Sequence, residues 1–223
     1  MTAKLFLQAI TKYLIGVLMV GVLVFLPAGS FAYIEGWIFM GILFVPMFFA
    51  GIVMMIKSPD LLKSRLKAKE SEGTQKIVIG LSLLMFIGAF VVAGLNFRFK
   101  WLELPLWSSI VGAGVFLIAY VLYAEVLREN AYLSRTIEVQ EGQKVVDTGL
   151  YGVVRHPMYM VTMFLFLSMP FVLGSLFSFF IMLVYIPIIV VRIIGEEKFL
   201  EKELAGYTEY KKKVKKRLIP FIW

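Results

Sequence analysis

Cysteine is absent from this 223-residue chain, which excludes disulfides and thiolate metal centres and leaves the redox compartment unreadable. Histidine occurs once, at His156, so the common metal-site spacings cannot be built and no metal is expected. No Gly-x-Gly-x-x-Gly fingerprint of a dinucleotide site occurs. Charge is scarce as well: 17% of residues are charged, against about a quarter in a soluble domain. What fills the chain is oil, with 60% hydrophobic residues and a mean hydropathy of +0.85. The apolar residues gather in blocks close to the roughly 20 residues of a bilayer span. A multi-spanning, all-helical membrane protein is expected, with no room for a separate soluble catalytic domain. The net charge of +8 comes from basic residues beside the apolar blocks. That placement favours an anionic membrane surface over nucleic acid as partner.

In chain order, Met1 to Lys12 is a short amphipathic start, and Tyr13–Ala32 reads as the first span, kinked at Pro27-Ala28-Gly29. After a tight turn, Tyr33 to Gly36, the second span runs Trp37–Ile56. The loop Lys57–Lys76 holds six basic residues (Lys57, Lys63, Arg65, Lys67, Lys69, Lys76) against three acidic ones. Ile77–Phe97 and Pro105–Leu127 are the third and fourth spans. Two shorter apolar runs follow, Met158–Leu173 and Leu176–Val191, with Gly174-Ser175 as the tip of a hairpin. The tail from Glu196 to Trp223 reads as an amphipathic helix and carries six basic residues in the seven of Lys211 to Arg217. It is suited to anionic headgroups, and equally to folding back as a lid. The expected division is an N-terminal bundle over 1–127 and a catalytic region over 128–223. Nearly all Lys and Arg fall on one side by alternation, so both termini and the site are expected in the cytoplasm.

Polar residues with chemical potential crowd into one stretch, Gly142 to Tyr159, GQKVVDTGLYGVVRHPMY. Pro157 suits the first turn of a helix and pushes His156 into an extended conformation. The segment therefore reads as a loop meeting an apolar helix, with Arg155 and His156 at the junction. At the far end of the hairpin stand Arg192, Glu196 and Glu197. Arg192 and Glu196 are four residues apart, on one helix face. Taken singly, each has a plain reading. Arg192 with Glu196 is an interfacial ion pair, His156 a backbone-bonded residue where a helix begins, and Arg155 a snorkelling cation. Charge beside hydrocarbon nevertheless invites a functional hypothesis, and the two groups are expected to meet in one site.

The ordered motifs G-L-Y-G-V-V-R-H-P-M-Y, an apolar hairpin, R-x-x-x-E-E, G-Y-x-E-Y and R-L-I-P resemble those of the isoprenylcysteine carboxyl methyltransferases. More broadly, they resemble the integral-membrane methyltransferases that include the phospholipid N-methyltransferases. The resemblance covers Ser134 to Trp223. It implies S-adenosylmethionine as cofactor, lying along Gln143, Lys144, Val145 and Val146. Tyr151, His156, Pro157 and Tyr159 would complete that wall, and Glu196 and Glu197 would hold the cofactor from the opposite side. Arg192 would face the acceptor, with His156 and Arg155 as the other catalytic candidates. A neutral glutamine that some relatives carry farther upstream has no clear equivalent; Thr136 occupies that region.

The acceptor implied is lipid-like or prenylated and enters from the bilayer. A carboxylate acceptor needs only a cation to hold it, whereas an amine must lose a proton, for which His156 or Glu197 is the candidate base. Two rival classes remain: a nicotinamide-dependent membrane reductase, and a small transporter or structural membrane protein.

Overall fold

The computed structural model describes residues 3–66, 73–134, 136–220 and 222–223, so Lys67 and Lys69 of the basic loop lie outside the described residues. Among the described residues all regular structure is helical. The helices are α1 (Ala3–Ala28), α2 (Ile34–Lys57), α3 (Pro59–Leu66), α4 (Gly73–Phe99), α5 (Leu106–Glu129), α6 (Pro157–Val172), α7 (Leu176–Met182), α8 (Tyr185–Glu203) and α9 (Tyr207–Lys213). A 3-10 turn, Gly149–Gly152, lies between α5 and α6.

Five segments are long and apolar enough to cross a membrane: Lys4–Ala28, Ile34–Lys57, Lys76–Phe99, Leu106–Glu129 and Leu176–Glu203. The fifth contains the second limb of the hairpin expected from the sequence and lengthens it. That limb continues past Val191 to Glu203, which puts Arg192, Glu196 and Glu197 on one continuous stretch of α8. The bend between α7 and α8 falls at Leu183-Val184. Pro187 has no N–H to give the carbonyl of Leu183, so the helical ladder is interrupted there. The first limb, α6, has only 16 residues, about 24 Å of helix against a hydrocarbon layer of about 30 Å.

The bundle is joined most extensively where α5 packs on α6, while α1 packs on α4, and α4 on α7 and α8. A core of Phe39, Phe90, Phe116, Val126, Val161, Leu173, Met182 and Ile189 runs through these contacts. One end of the bundle is sealed by polar side chains. The Tyr33 hydroxyl donates to the carbonyl of Leu173, and the Asn96 amide donates to Leu102 O (3.0 Å) and Gly174 O (3.3 Å). These bonds satisfy backbone carbonyls that a turn between apolar helices leaves open. The functional residues collect at the other end.

The tail is not the single amphipathic helix expected from its pattern. Gly206 adopts φ +85, a left-handed conformation that ends the helical course and restarts it as α9. The chain then extends through Val214 and turns back. Leu204, Tyr207, Tyr210 and Val214 are buried against Val139, Val145 and Leu200. The face expected to lie on lipid is thus closed against the loop that precedes α6.

The α5–α6 contact gives a direct test. A Cβ at Gly112 would stand 2.8 Å from Phe171 Cβ and 2.9 Å from Val172 N, whereas one at Gly114 meets nothing within 4 Å. Small residues of this kind let helix backbones approach. Gly112→Val should cost about 1–3 kcal/mol and lower the thermal midpoint in detergent. Gly114→Ala should leave that midpoint unchanged or raise it.

Candidate functional site

The site is built where the loop before α6, the last turns of α8 and the tail converge. Pro157 opens α6, and His156 caps it with φ −124 and ψ 61, outside the helical region. The backbone there is paired to the tail: Arg155 N–H donates to Lys216 O (2.9 Å) and His156 N–H to Arg217 O (2.8 Å).

Glu197 is the hub of the site. It is 2% exposed, and both its oxygens are taken. Oε1 accepts from Arg155 Nε at 2.7 Å and lies 3.2 Å from His156 Nε2. Oε2 accepts from Arg217 Nε at 2.9 Å, with Lys211 Nζ at 3.8 Å. Arg155 adds a bond to Val214 O at 2.8 Å. One carboxylate therefore holds the motif loop and the tail against α8. A buried charge is tolerated when it is paired and hydrogen-bonded in this way.

Beside this hub, Tyr159 bridges the two other site candidates of α8, Arg192 and Glu196. Its hydroxyl accepts from Arg192 Nε at 3.0 Å and donates to the Glu196 carboxylate. The His156 and Tyr159 rings stack at 5.7 Å. Tyr151 is fixed from both sides: Asn130 Nδ2 donates to its hydroxyl at 3.0 Å, and the Tyr210 hydroxyl donates to its carbonyl at 2.7 Å. Farther out, Lys213 donates to Asp147 Oδ2 at 2.6 Å and holds that carboxyl below its usual range.

These elements enclose a cleft with about 810 Å³ of unfilled space, counted out to its open mouth. Gln143, Lys144, Val145, Val146, Tyr151, Arg155, His156, Pro157, Tyr159, Arg192 and Glu196 all line it. Of the residues singled out from the sequence, Glu197 alone is missing from that lining, because it lies behind Arg155 and His156 and supports them. The Gln143 side chain is engaged locally, its Oε1 accepting from Gln140 N–H at 2.9 Å.

The tail contributes lining residues that sequence reasoning did not assign to the site: Leu200, Leu204, Tyr207 and Tyr210. Their helical spacing was visible, but the left-handed break at Gly206 that aims them inward was not. Asn130, Tyr132, Ser134, Thr136 and Glu138 line the cleft from the segment after α5; of these the sequence singles out only Thr136, as occupying the region of a glutamine in some relatives. Tyr207 has a particular chemical consequence. It is 4% exposed, and among the described residues its hydroxyl is buried without a hydrogen-bond partner. Burial pushes its phenol far above the usual range, so the group stays a neutral donor at physiological pH. An unpaired buried hydroxyl costs about 1–3 kcal/mol, a cost that a ligand with an acceptor atom in the cleft would remove.

Comparison with known proteins adds a class to this geometry. The profile of the phospholipid methyltransferase family matches residues 107–206, just under half of the chain. It begins in the first turn of α5 and ends at Gly206. The Delta(14)-sterol reductase TM7SF2 of Mus musculus is 33% identical over 91 residues, which is 40% of this chain and 22% of that protein. The chain thus spans about a fifth of that relative's length. Together with five apolar segments able to cross a bilayer, the family match identifies an integral membrane protein with the pattern of a membrane methyltransferase.

The hub yields a stability prediction. Glu197→Gln leaves Arg155 and Arg217 facing a neutral amide in a buried position, and should destabilise the fold by about 3 kcal/mol. The tail should become the first region to open, seen as protease cleavage after Lys211–Arg217 at concentrations that leave the unsubstituted protein intact.

Proposed function

We propose that this protein transfers a methyl group from S-adenosylmethionine to a hydrophobic, membrane-associated acceptor, in first place the carboxylate of an isoprenylcysteine or a similar lipid-like acid. The observation that carries the reading is the cleft itself. It unites the motif loop, Tyr159, Arg192 and Glu196 with a buried, unpartnered Tyr207 hydroxyl.

The donor set suits such a cofactor. Glu196 offers a carboxylate and Tyr207 a neutral hydroxyl, while Val145 and Val146 offer apolar surface beside them. The cofactor, when bound, supplies an activated methyl group together with its own leaving group, so no covalent nucleophile is required of the chain. The chain's part is alignment and exclusion of water. The motif loop and Tyr151 form one wall, Glu196 the facing one, and the tail closes the top with Tyr207 and Tyr210. Tyr159 fixes Arg192 and Glu196 relative to each other through one hydroxyl.

The state of Glu197 favours an acid as acceptor. An amine must give up a proton, and of the two candidate bases Glu197 lies behind the wall within a cluster of cations, while His156, which lines the cleft, has its Nε2 turned to that carboxylate. A carboxylate needs no base, and Arg192 can hold it by two parallel hydrogen bonds. It would approach from within the bilayer and share the cytoplasmic face with both termini. An N-methyltransferase acting on a phospholipid amine is the second reading, because the profile matched belongs to phospholipid methyltransferases. A nicotinamide-dependent reductase, suggested by the sterol reductase match, is the third.

Calorimetric titration of the purified protein with S-adenosylhomocysteine tests the cofactor. One saturable site is expected, lost in Glu196→Ala and about 10-fold weaker in Tyr207→Phe, the worth of one hydrogen bond. A folded sample that binds NADPH and not S-adenosylhomocysteine would replace this reading with the reductase. For the acceptor, Arg192→Ala should keep S-adenosylhomocysteine affinity within about twofold while turnover on a farnesylated cysteine acid falls at least about 100-fold, as when a positioning contact is lost. Methylation of phosphatidylethanolamine with none of the acid would establish the amine reading instead.

A further inference from the structure

The tail divides its cations into two sets. Lys211 pairs with Glu201 and lies near Glu197, Lys213 pairs with Asp147, and Arg217 pairs with Glu197. Lys212 and Lys215 are exposed and Lys216 is half-buried, and no carboxylate of the described residues pairs with any of them. Three like charges within five residues repel one another, and no ion pair within the described residues takes them up.

Their position is fixed by the backbone. Lys216 and Arg217 accept from the N–H groups of Arg155 and His156 at 2.9 and 2.8 Å, and α6 begins at the next residue, Pro157. Residues 215–217 therefore sit beside the start of α6, where its apolar run begins. On α9, Tyr207 and Tyr210 are turned into the cleft. Lys212, two positions beyond Tyr210, is about 200° around the helix and faces away from it. Beyond the basic run the chain is anchored again, with Leu218 buried and Ile219 and Trp223 packed on the main core.

We infer that Lys212, Lys215 and Lys216 bind the headgroups of anionic phospholipids, and that this contact holds the tail closed over the cleft. Each lysine near an anionic surface is drawn toward it and screened by salt. The tail cannot lift without withdrawing Arg217 and Lys211 from Glu197 and Tyr207 and Tyr210 from the cleft wall. Headgroups hold Lys212, Lys215 and Lys216 where they stand while Glu197 holds Lys211 and Arg217, so both contacts fix the same short segment in its closed position and closure responds to the charge of the membrane. The inference rests on the tail as a lid and holds whichever group is transferred beneath it.

Hydrogen exchange followed by mass spectrometry tests this on the full chain in lipid nanodiscs, made of phosphatidylcholine alone or with phosphatidylglycerol added. Amides in peptides spanning Arg155–His156 and the tail should exchange at least about fivefold more slowly with phosphatidylglycerol, the equivalent of one lysine's attraction to the surface. Raised salt should remove the difference. The triple variant Lys212→Gln, Lys215→Gln, Lys216→Gln should exchange equally in both discs, with α5 and α6 peptides protected as before; Lys215→Gln alone should give an intermediate ratio. Equal exchange of the unsubstituted protein in the two discs overturns the inference. So does a lipid dependence that survives in the triple variant, because other cations would then carry it. None of these readouts uses turnover or cofactor, so the result is independent of the reaction assigned to the cleft.

Discussion

The buried carboxylate of Glu197 is the constraint on which the rest of the site depends. It sits on α8 and is satisfied only when two other segments reach it, Arg155 from the loop before α6 and Arg217 from the tail. Neither partner is near it in sequence. A carboxylate left unpaired at this depth would cost several kcal/mol, a penalty that falls due whenever either segment lifts away. The polar end of the bundle therefore folds as a unit: loop, helix end and tail close together, and the cleft exists when they have closed.

This division of labour sorts the charged residues. Arg155, 7% exposed, directs its guanidinium to Glu197 and Val214, which makes it a positioning residue although part of it borders the cleft. Arg192 instead meets the cleft through Tyr159, and Glu196 faces it from one turn further along α8. Adjacent glutamates thus have opposite tasks. Neighbouring residues on a helix point about 100° apart, so Glu196 is aimed at the cleft and Glu197 into the cluster behind its wall. The E-E pair suggested two cofactor contacts, and of the two only Glu196 lines the cleft.

Much of the bundle was legible from hydropathy, because a span must be long, apolar and helical to satisfy its backbone in hydrocarbon. The meeting of Arg155 and His156 with α8 was legible for a related reason: charges beside apolar runs need partners, and few were on offer. Two things were hidden. The helical spacing of Arg192 and Glu196 was visible, but the unbroken run of α8 from the apolar limb to Glu203 was not, because hydropathy falls there. The inward turn of the tail depends on one left-handed glycine and on backbone pairing between residues 155–156 and 216–217. Period-based reading carries no information about such long-range pairing, so Tyr207 and Tyr210 looked like the apolar face of a surface helix.

The extent of the family match bears on how chemistry and specificity are divided in this fold. Residues 107–206 include the motif loop, α6, Arg192 and Glu196, the parts that would hold a methyl donor. They stop short of Tyr207, Tyr210 and Arg217, and of everything before α5. Yet the tail closes the top of the cleft. From the other side, Arg65 of α3 donates to Ser134 O at 3.4 Å and to the Tyr123 hydroxyl, and lies 3.8 Å from Met158 Sδ. Ser134 and Met158 both line the cleft. The segments outside the matched region are thus in contact with its walls. A donor site can stay constant while the surrounding walls change, since the reacting methyl group asks only for alignment and dryness. Under the proposed reaction, acceptor choice would fall to the places where α3 and the tail press on the cleft, at residues the matched profile does not cover.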